Sequence, residues 1–210
     1  MIEMRVTQNV LTAKANRRNG IGRTVCSILL LCWVAVETSV LGAQLTQTDW
    51  LRADAATVRL NPGSFPNLPS PIRTEMGRRG CTVPQPLGSD GQRNIVSGHF
   101  MDAKRMGWAA LCSRGRRSAV LVFHGNDFSE VDELAEAADS DYLQTVEGGR
   151  IGYSRALGVA TPNIVRRAPA ADGPKPQVID HDGINDAFEG KGSAILYWIG
   201  GKWIRLQGSD

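Results

Sequence analysis

Residues 108–125, WAALCSRGRRSAVLVFHG, place two apolar segments on either side of a short basic turn around Gly115. In the second segment, SAVLVF, the odd-numbered and the even-numbered positions are both apolar. A strand that is apolar on both faces is usually covered on both sides. We therefore predict an antiparallel pair of strands here. The second strand should lie in the middle of a sheet, with the rest of the domain packed around it.

The chain just before this pair predicts a short helix and another strand. Ser70 can cap the helix, Pro71 suits its first turn, and Gly80 can end it in the left-handed conformation. Residues 94–100 have the composition of a strand.

The chain beyond residue 125 predicts both helix and strand. Val131, Leu134 and Ala135 have helical spacing, so residues 130–138 predict a short helix capped by Ser129. Further strands are predicted at 142–146, 151–159, 194–199 and 202–207, and a proline-rich loop with one helical turn at 160–177. The whole pattern predicts an α+β domain with one antiparallel sheet of roughly five to seven strands and two or three short helices.

The first 43 residues have the features of a secretory signal peptide. A basic segment that includes Lys14, Arg17 and Arg18 precedes the apolar run VCSILLLCWVAV. The run is shorter than the ~20 residues that a membrane span needs, so we predict a cleaved leader, with an uncleaved membrane anchor as the alternative. The predicted organisation is a signal peptide at 1–43, a proline-rich connector at 44–70 and the α+β domain at 71–210. The predicted location is secreted or periplasmic.

Bulk charge does not point to a nucleic-acid partner. The chain has 24 basic and 21 acidic side chains, and residues 1–43 hold five of the basic and two of the acidic ones. The rest of the chain therefore has 19 of each and no net charge. We expect no nucleic-acid binding and no membrane span after cleavage of the leader, and we leave open a protein or glycan partner.

Cys81 and Cys112 are the two cysteines that remain beyond the leader. In an oxidising compartment such a pair predicts one disulfide, which would join the end of the predicted helix to the first strand of the pair. Two buried free thiols are the alternative. The spacing fits no cysteine-based metal site.

The predicted C-terminal hairpin turns at Gly200 and Gly201 and places Trp198 opposite Trp203. The two indoles share one face with Arg205. Cross-strand aromatic pairs stabilise hairpins, so a structural role is one interpretation. If that face is open, the indoles and Arg205 form a binding platform for a sugar or a protein partner.

An acidic loop, VIDHDGIND at residues 178–186, precedes this hairpin. Asp180, Asp182 and Asp186 can offer carboxylate oxygens to a hard cation such as Ca²⁺, and Gly183 permits a tight turn between them. These three carboxylates are the candidate metal ligands. The alternative is that the first two aspartates cap a helix over residues 183–189.

The same loop resembles the calcium loop D-x-D-x-D-G-x-x-D of FG-GAP/VCBS repeats, with Val178 at its first acidic position. That resemblance implies Ca²⁺ as a bound cofactor. A second likeness is internal, because SAVLVFHG at 118–125 matches SAILYWIG at 193–200. Duplication and convergence on a strand pattern both explain this match.

Four segments are similar to a family of exported bacterial proteins of uncharacterised activity. They are RRGCTVPQ, NIVSGHF, HDGINDAF and the terminal W-x-x-L-x-G-x-D. The resemblance implies export and supplies no activity.

Catalysis has weaker support in the sequence than binding. The chain has no G-x-S-x-G, H-E-x-x-H or P-loop motif. We therefore predict a secreted or envelope-associated, non-catalytic binding domain of unknown ligand, with Ca²⁺ as a candidate stabilising ion. A small exported hydrolase that uses His124 or His181 with nearby aspartates is one alternative. An inhibitor or partner-binding protein that uses the Trp198/Trp203 face is the other.

Overall fold

Two four-stranded antiparallel sheets form the body of the domain in the computed structural model, which describes residues 45–125, 130–171 and 174–209. All of these belong to one compact unit, Ala43–Asp210. The predicted signal peptide lies outside the described residues. Within the described ranges, no helix combines the length and the apolar character that crossing a membrane requires.

The helices and strands follow in chain order. The helices are α1 (Gln47–Ala56), α2 (Ser70–Arg78) and α3 (Pro162–Arg167). The strands are β1 (Arg59–Leu60), β2 (Val83–Pro84), β3 (Ile95–Gly98), β4 (Gly107–Arg114), β5 (Arg117–Phe123), β6 (Val131–Ala138), β7 (Leu143–Thr145), β8 (Ile151–Tyr153), β9 (Arg155–Ala160), β10 (Gly183–Phe188), β11 (Gly192–Ile199) and β12 (Lys202–Gln207).

Each large sheet is a meander of consecutive strands. The first sheet has the order β3-β4-β5-β6 and the second has the order β12-β11-β10-β9, while β1-β2 and β7-β8 form two small sheets. The prediction of antiparallel strands with two or three short helices is confirmed. The prediction of one sheet is wrong, because the described strands form four separate sheets.

The central strand β5 lies between β4 and β6, as the sequence predicts. Leu121 and Phe123 pack with Ile72 and Met76 of α2 on the outer face of the first sheet. The alternate residues of β5 face the second sheet, where Val120 packs in the core with other apolar residues, among them Leu157, Ile184 and Leu196. Both faces of β5 are therefore covered, one by a helix and the other by a sheet.

A third core covers the outer face of the second sheet. Ile195 and Tyr197 of β11 pack there against Val165 and Ala168, which come from α3 and the residue after it. The layers of the domain are therefore helix, sheet, sheet and helix. The two segments that match in sequence, 118–125 and 193–200, occupy the third strand of the two meanders.

Helix α2 ends as its sequence predicts. Gly80 has φ +73°, and the next residue, Cys81, forms a disulfide with Cys112 of β4. The disulfide prediction is confirmed. The cap differs in detail, because Pro69 stands at the N-cap and Ser70 is the first helical residue.

Strand β6 replaces the helix predicted at residues 130–138. Leu134 pairs with Val120, and a β-bulge follows, because Ala137 pairs with Ser118. Ala135 lies in the bulge with φ +50°. The bulge shifts the alternation of apolar and polar residues, and the shifted pattern has the three- and four-residue spacing of a helix.

Strand β10 likewise replaces the alternative helix at residues 183–189. It pairs with β9 on one side and β11 on the other. A Cβ atom at Gly183 would lie 2.7 Å from the side chain of Ile195, so the close strand pairing depends on this glycine. The hairpin of β11 and β12 has the predicted register, with Trp198 opposite Trp203.

Residues 45–69 pack onto the domain through buried polar contacts. Arg59 donates two hydrogen bonds to Asp139, at 3.0 and 2.8 Å, and a third to Asp54 at 2.7 Å. The side chains of Phe65 and Leu68 are buried beside α2. Helix α1 and the proline-rich segment after it therefore belong to the folded body.

One edge of the sandwich, formed by β3 and β9, is sealed by side-chain bonds to the backbone, and we call it the closed edge. The Asn94 amide nitrogen donates to the carbonyls of Pro84 and Arg155, at 2.7 and 3.0 Å, and its oxygen accepts from the Leu157 N–H at 2.8 Å. The backbone N–H of His99 also donates to the carboxylate of Asp182 at 3.0 Å.

Candidate binding groove at the open edge

The opposite edge of the sandwich, formed by β6 and β12, contains a groove, and we call it the open edge. A cavity of about 550 Å³ lies between these strands. A second cavity of about 460 Å³ shares five lining residues with it and extends toward the turn between β10 and β11. The shared residues are Ala137, Tyr142, Asp186, Ala194 and Arg205. The two cavities therefore form one continuous groove.

A fully buried ion pair lies at the floor of the groove. Arg155 of β9 donates from Nε and Nη2 to the two carboxylate oxygens of Asp186, each at 2.8 Å. Burial opposes the positive charge, but the hydrogen bonds and the charge of Asp186 outweigh it and raise the pKa of Arg155. The ring of Tyr142 covers the guanidinium at 4.5 Å. Burial also raises the pKa of the Tyr142 phenol.

The same guanidinium joins the two sheets. Its Nη1 donates to the carbonyl and hydroxyl oxygens of Ser118 on β5, both at 3.0 Å, and its Nη2 donates to the carbonyl of Ala135 at 2.7 Å. Ala135 is the bulge residue with a positive φ, so Arg155 holds a strained piece of edge strand in place. Bulges and strained backbone are common beside functional sites.

A cluster of aromatic and charged side chains closes one end of the groove. The indole N–H of Trp203 donates to Asp132 of β6 at 2.8 Å and so links the two edge strands. The two ring nitrogens of His124 lie 2.7 Å from Asp132 and 2.9 Å from Glu130. Trp198 packs edge-on against both His124 and Trp203.

The two walls of the groove differ in free charge. On the β6 wall, the carboxylate of Glu136 pairs with Arg117 at 2.7 Å, while the exposed Asp141, which lines the second cavity, forms no ion pair among the described residues. The hydrogen bond from Arg117 lowers the pKa of Glu136.

On the opposite wall, the exposed cations Lys202, Arg205 and Lys191 form no ion pair with any carboxylate of the described residues. The Lys191 ammonium instead lies 4.5 Å from the ring of Phe188. Among the described residues, the groove therefore carries three unpaired cations and one unpaired carboxylate.

The structure places two of the three predicted binding residues in this groove. Trp203 and Arg205 line it, and Trp198 stands behind its closed end. Trp198 also lines a separate cavity of about 300 Å³ together with His181. Both indoles are half-buried.

The three predicted calcium ligands bind three different partners. Asp186 is paired with Arg155, Asp182 accepts from the backbone of His99, and Asp180 contacts His181 at 2.7 Å. No group of three potential metal ligands occurs among the residues that the structure describes. Calcium binding stays a prediction from the sequence.

The histidines that the hydrolase alternative needs make separate contacts. His181 stacks on Tyr197, and its Nδ1 faces both Asp180 and the Tyr197 hydroxyl. Its Nε2 lies 3.0 Å from the carbonyl of Trp198. His124 has both ring nitrogens against carboxylates. The hydrolase alternative stays a prediction.

Sequence reasoning did not place Arg155 beneath the groove or Tyr142 on its lining. The available signal was an arginine inside the apolar strand pattern of residues 151–159, with no carboxylate close by in the chain. A charged side chain in a buried strand needs a partner, and the partner Asp186 comes from a distant segment.

Comparisons of this chain with protein-family models, with curated proteins and with solved structures return no match. The functional argument therefore depends on the geometry of the groove.

Proposed function

We propose that this protein is an exported, non-catalytic binding domain that holds its ligand in the groove between β6 and β12. The observation that carries the proposal is the groove itself, with a volume of about 550 Å³ in its main part. Ligand sites commonly have volumes of roughly 300–1,000 Å³ and combine apolar walls with a few polar groups. Leu134, Leu196 and Trp203 supply the apolar part, and Lys202 and Arg205 the polar part.

The construction of the groove supports a binding role. Its floor is held by the Arg155–Asp186 pair, and its end by the bond between Trp203 and Asp132. A site built on strands whose side chains are fixed by hydrogen bonds is preorganised, and such a site loses less entropy when a ligand binds.

Export is part of the proposal, and two observations support it. The N-terminal segment of the sequence has the charge and length pattern of a leader. The Cys81–Cys112 disulfide is typical of proteins in oxidising compartments. N-terminal sequencing of material recovered outside the cytoplasm tests export, and we expect a start near residue 43.

A groove-filling variant tests the binding role. Ala137 lines both cavities of the groove, so Ala137→Trp would occupy the space of a ligand. We expect the purified protein to capture ligands from arrays of peptides and glycans, and Ala137→Trp to lose this capture. The matched control is Val58→Trp, an exposed position in a different cavity beside α1.

Two results would contradict the proposal. Equal capture by Ala137→Trp and by the unmodified protein, with both variants folded by circular dichroism, would place the ligand elsewhere. Chemical conversion of a captured ligand that is lost in His124→Gln would contradict the non-catalytic part.

A further inference from the structure

The outer edge of β12 has backbone groups available for a further strand. Near its end, the Gln207 N–H donates outward to the carbonyl of Pro169 at 2.9 Å, and Leu206 lies opposite Ala170. Outward-pointing groups recur at every second residue of an antiparallel strand. The N–H and C=O groups of Arg205 and Trp203 therefore point outward as well. The antiparallel bridge at Ala170 directs the N–H of the next residue, Ala171, toward the Arg205 carbonyl, whereas among the described residues no backbone group binds the Arg205 N–H or either group of Trp203.

The groove runs along this free edge. Four consecutive residues of β12, from 202 to 205, line the main cavity. Consecutive side chains point to opposite faces of a strand. A cavity that is lined by all four of these residues must therefore lie along the backbone edge of β12 and not on one face of the sheet. The segment at Pro169 and Ala170 already occupies the neighbouring part of the same edge.

The β6 edge is less suited to an added strand. Its ladder is interrupted by the bulge at Ala135, and the carbonyl of that residue is bound by Arg155. A strand that enters the groove therefore finds its regular hydrogen-bonding partner in β12.

The charges of the groove select an acidic occupant. Among the described residues, Lys202, Arg205 and Lys191 form no ion pair, and of the lining carboxylates Glu136 and Asp186 are paired and only Asp141 is not. A second copy of the chain is a poor occupant of the β12 edge, because pairing two β12 edges would bring like charges together. Lysines on an edge strand are a common means of preventing such self-pairing.

We propose that the groove takes an extended acidic segment of a partner protein, which adds to β12 as a fifth strand of the second large sheet. This inference rests on the proposed function and identifies its ligand class. Backbone hydrogen bonds to the N–H and C=O of Trp203 and to the N–H of Arg205 hold the segment, and its carboxylates face the three unpaired cations. The side chains that point inward meet Leu134, Leu196 and the indole of Trp203.

A peptide library gives the direct test. The probes are peptides of about eight residues in which Asp or Glu alternates with Val, Thr or Leu, the usual length and composition of a strand. Each has a matched copy with Lys in place of the acidic residues and another with N-methyl groups at alternate peptide bonds. We expect acidic members to bind at least ~10-fold more tightly than basic copies, and N-methylation to weaken binding by ~10-fold or more.

Protein variants test the location. The double variant Lys202→Glu/Arg205→Glu should weaken binding of the acidic peptide by ~10-fold and strengthen binding of the basic copy. Lys104→Glu/Arg52→Glu is the matched control at exposed positions that do not line the groove, and it should leave the affinity unchanged. Amide hydrogen exchange should slow at Trp203 and Arg205 when the peptide is bound.

The outcomes separate this inference from the proposed function. Binding of no acidic peptide, equal binding of acidic and basic copies, or indifference to N-methylation overturns strand addition. If an anionic glycan is then captured in a way that Ala137→Trp abolishes, the groove remains a binding site and only the ligand class is wrong. If neither class is captured, both proposals fail.

Discussion

At the closed edge of the sandwich, β3 and β9 are joined through the side chains of Asn94 and Asp182, whereas at the open edge β6 and β12 border a groove of about 550 Å³. Among the described residues, one hydrogen bond joins the two strands of the open edge, from Trp203 to Asp132. Two meanders of the same strand order thus meet tightly on one side and leave room on the other. The two edges therefore differ in how the sheets are joined, by side-chain bonds directly between the edge strands at the closed edge and by the Arg155 guanidinium beneath the groove at the open edge.

The largest effect is expected from the arginine that holds the floor of the open edge. Arg155→Met leaves the Asp186 carboxylate buried without its partner and should lower the free energy of unfolding by about 3–5 kcal/mol. Urea denaturation measures the change.

A double variant provides the control for this pair. Arg155→Met/Asp186→Leu removes both charges and should be more stable than Arg155→Met alone. A double variant as unstable as the single one would show that the bonds to Ser118 and Ala135, and not the ion pair, hold the floor.

The next effect is expected at the closed edge. Asn94→Ala leaves two carbonyls and the N–H of Leu157 without their bonds at a site that is 1% exposed, and places alanine at φ +71°. We expect a loss of about 2–4 kcal/mol in the free energy of unfolding. Asn61→Ala, an exposed asparagine with one local bond to the Gly63 N–H, should lose less than about 1 kcal/mol. If both variants lost the same free energy of unfolding, Asn94 would contribute no more to the closed edge than Asn61 contributes to a surface turn.

A smaller effect is expected from the bond that crosses the open edge. Trp203→Phe keeps an aromatic ring and loses the hydrogen bond to Asp132, so thermal denaturation should show a loss of about 1–2 kcal/mol. Trp50→Phe is the matched control, because its indole packs on the same core and its N–H has no hydrogen bond to a described residue. If Trp203→Phe also speeds peptide dissociation, the end of the groove contributes to binding.

The smallest effect concerns the turn between β3 and β4, next to the closed edge. Asp102 accepts from the N–H groups of Lys104 and Arg105 and from the Arg105 guanidinium, and these bonds lower the pKa of Asp102 to about 2. The unfolded carboxyl titrates near ~3.9, so the stabilisation is complete above that pH and is lost as the pH falls toward about 2. Amide exchange at Lys104 and Arg105, corrected for intrinsic rates, should rise over this range. Asp102→Asn should remove that pH dependence. If amide exchange at Lys104 and Arg105 still rises over this range in the variant, a different titrating group is responsible.

The sequence predicted the strands of regular pattern and failed where a bulge or a distant partner decided the structure. The β11–β12 hairpin was predictable to the register, because alternation and a Gly-Gly turn are local properties. Strand β6 was mistaken for a helix, because its alternation is interrupted at Ala135 by a bulge that depends on Arg155. The acidic loop suggested one cation site, but each of its aspartates has its own partner in space.

The sequence by itself determined the antiparallel strands of regular pattern, the helix that begins at Ser70, the disulfide and the face that carries Trp203 and Arg205. These features follow from apolar periodicity, turn residues and the count of cysteines, all of which act over short distances along the chain. Only the tertiary structure decided that the strands divide into two sheets, that one edge is sealed and that the other holds a groove. Those properties depend on which side chains meet across the sandwich, and Asn94 and Arg155 find partners that lie 61 and 31 residues away in the chain.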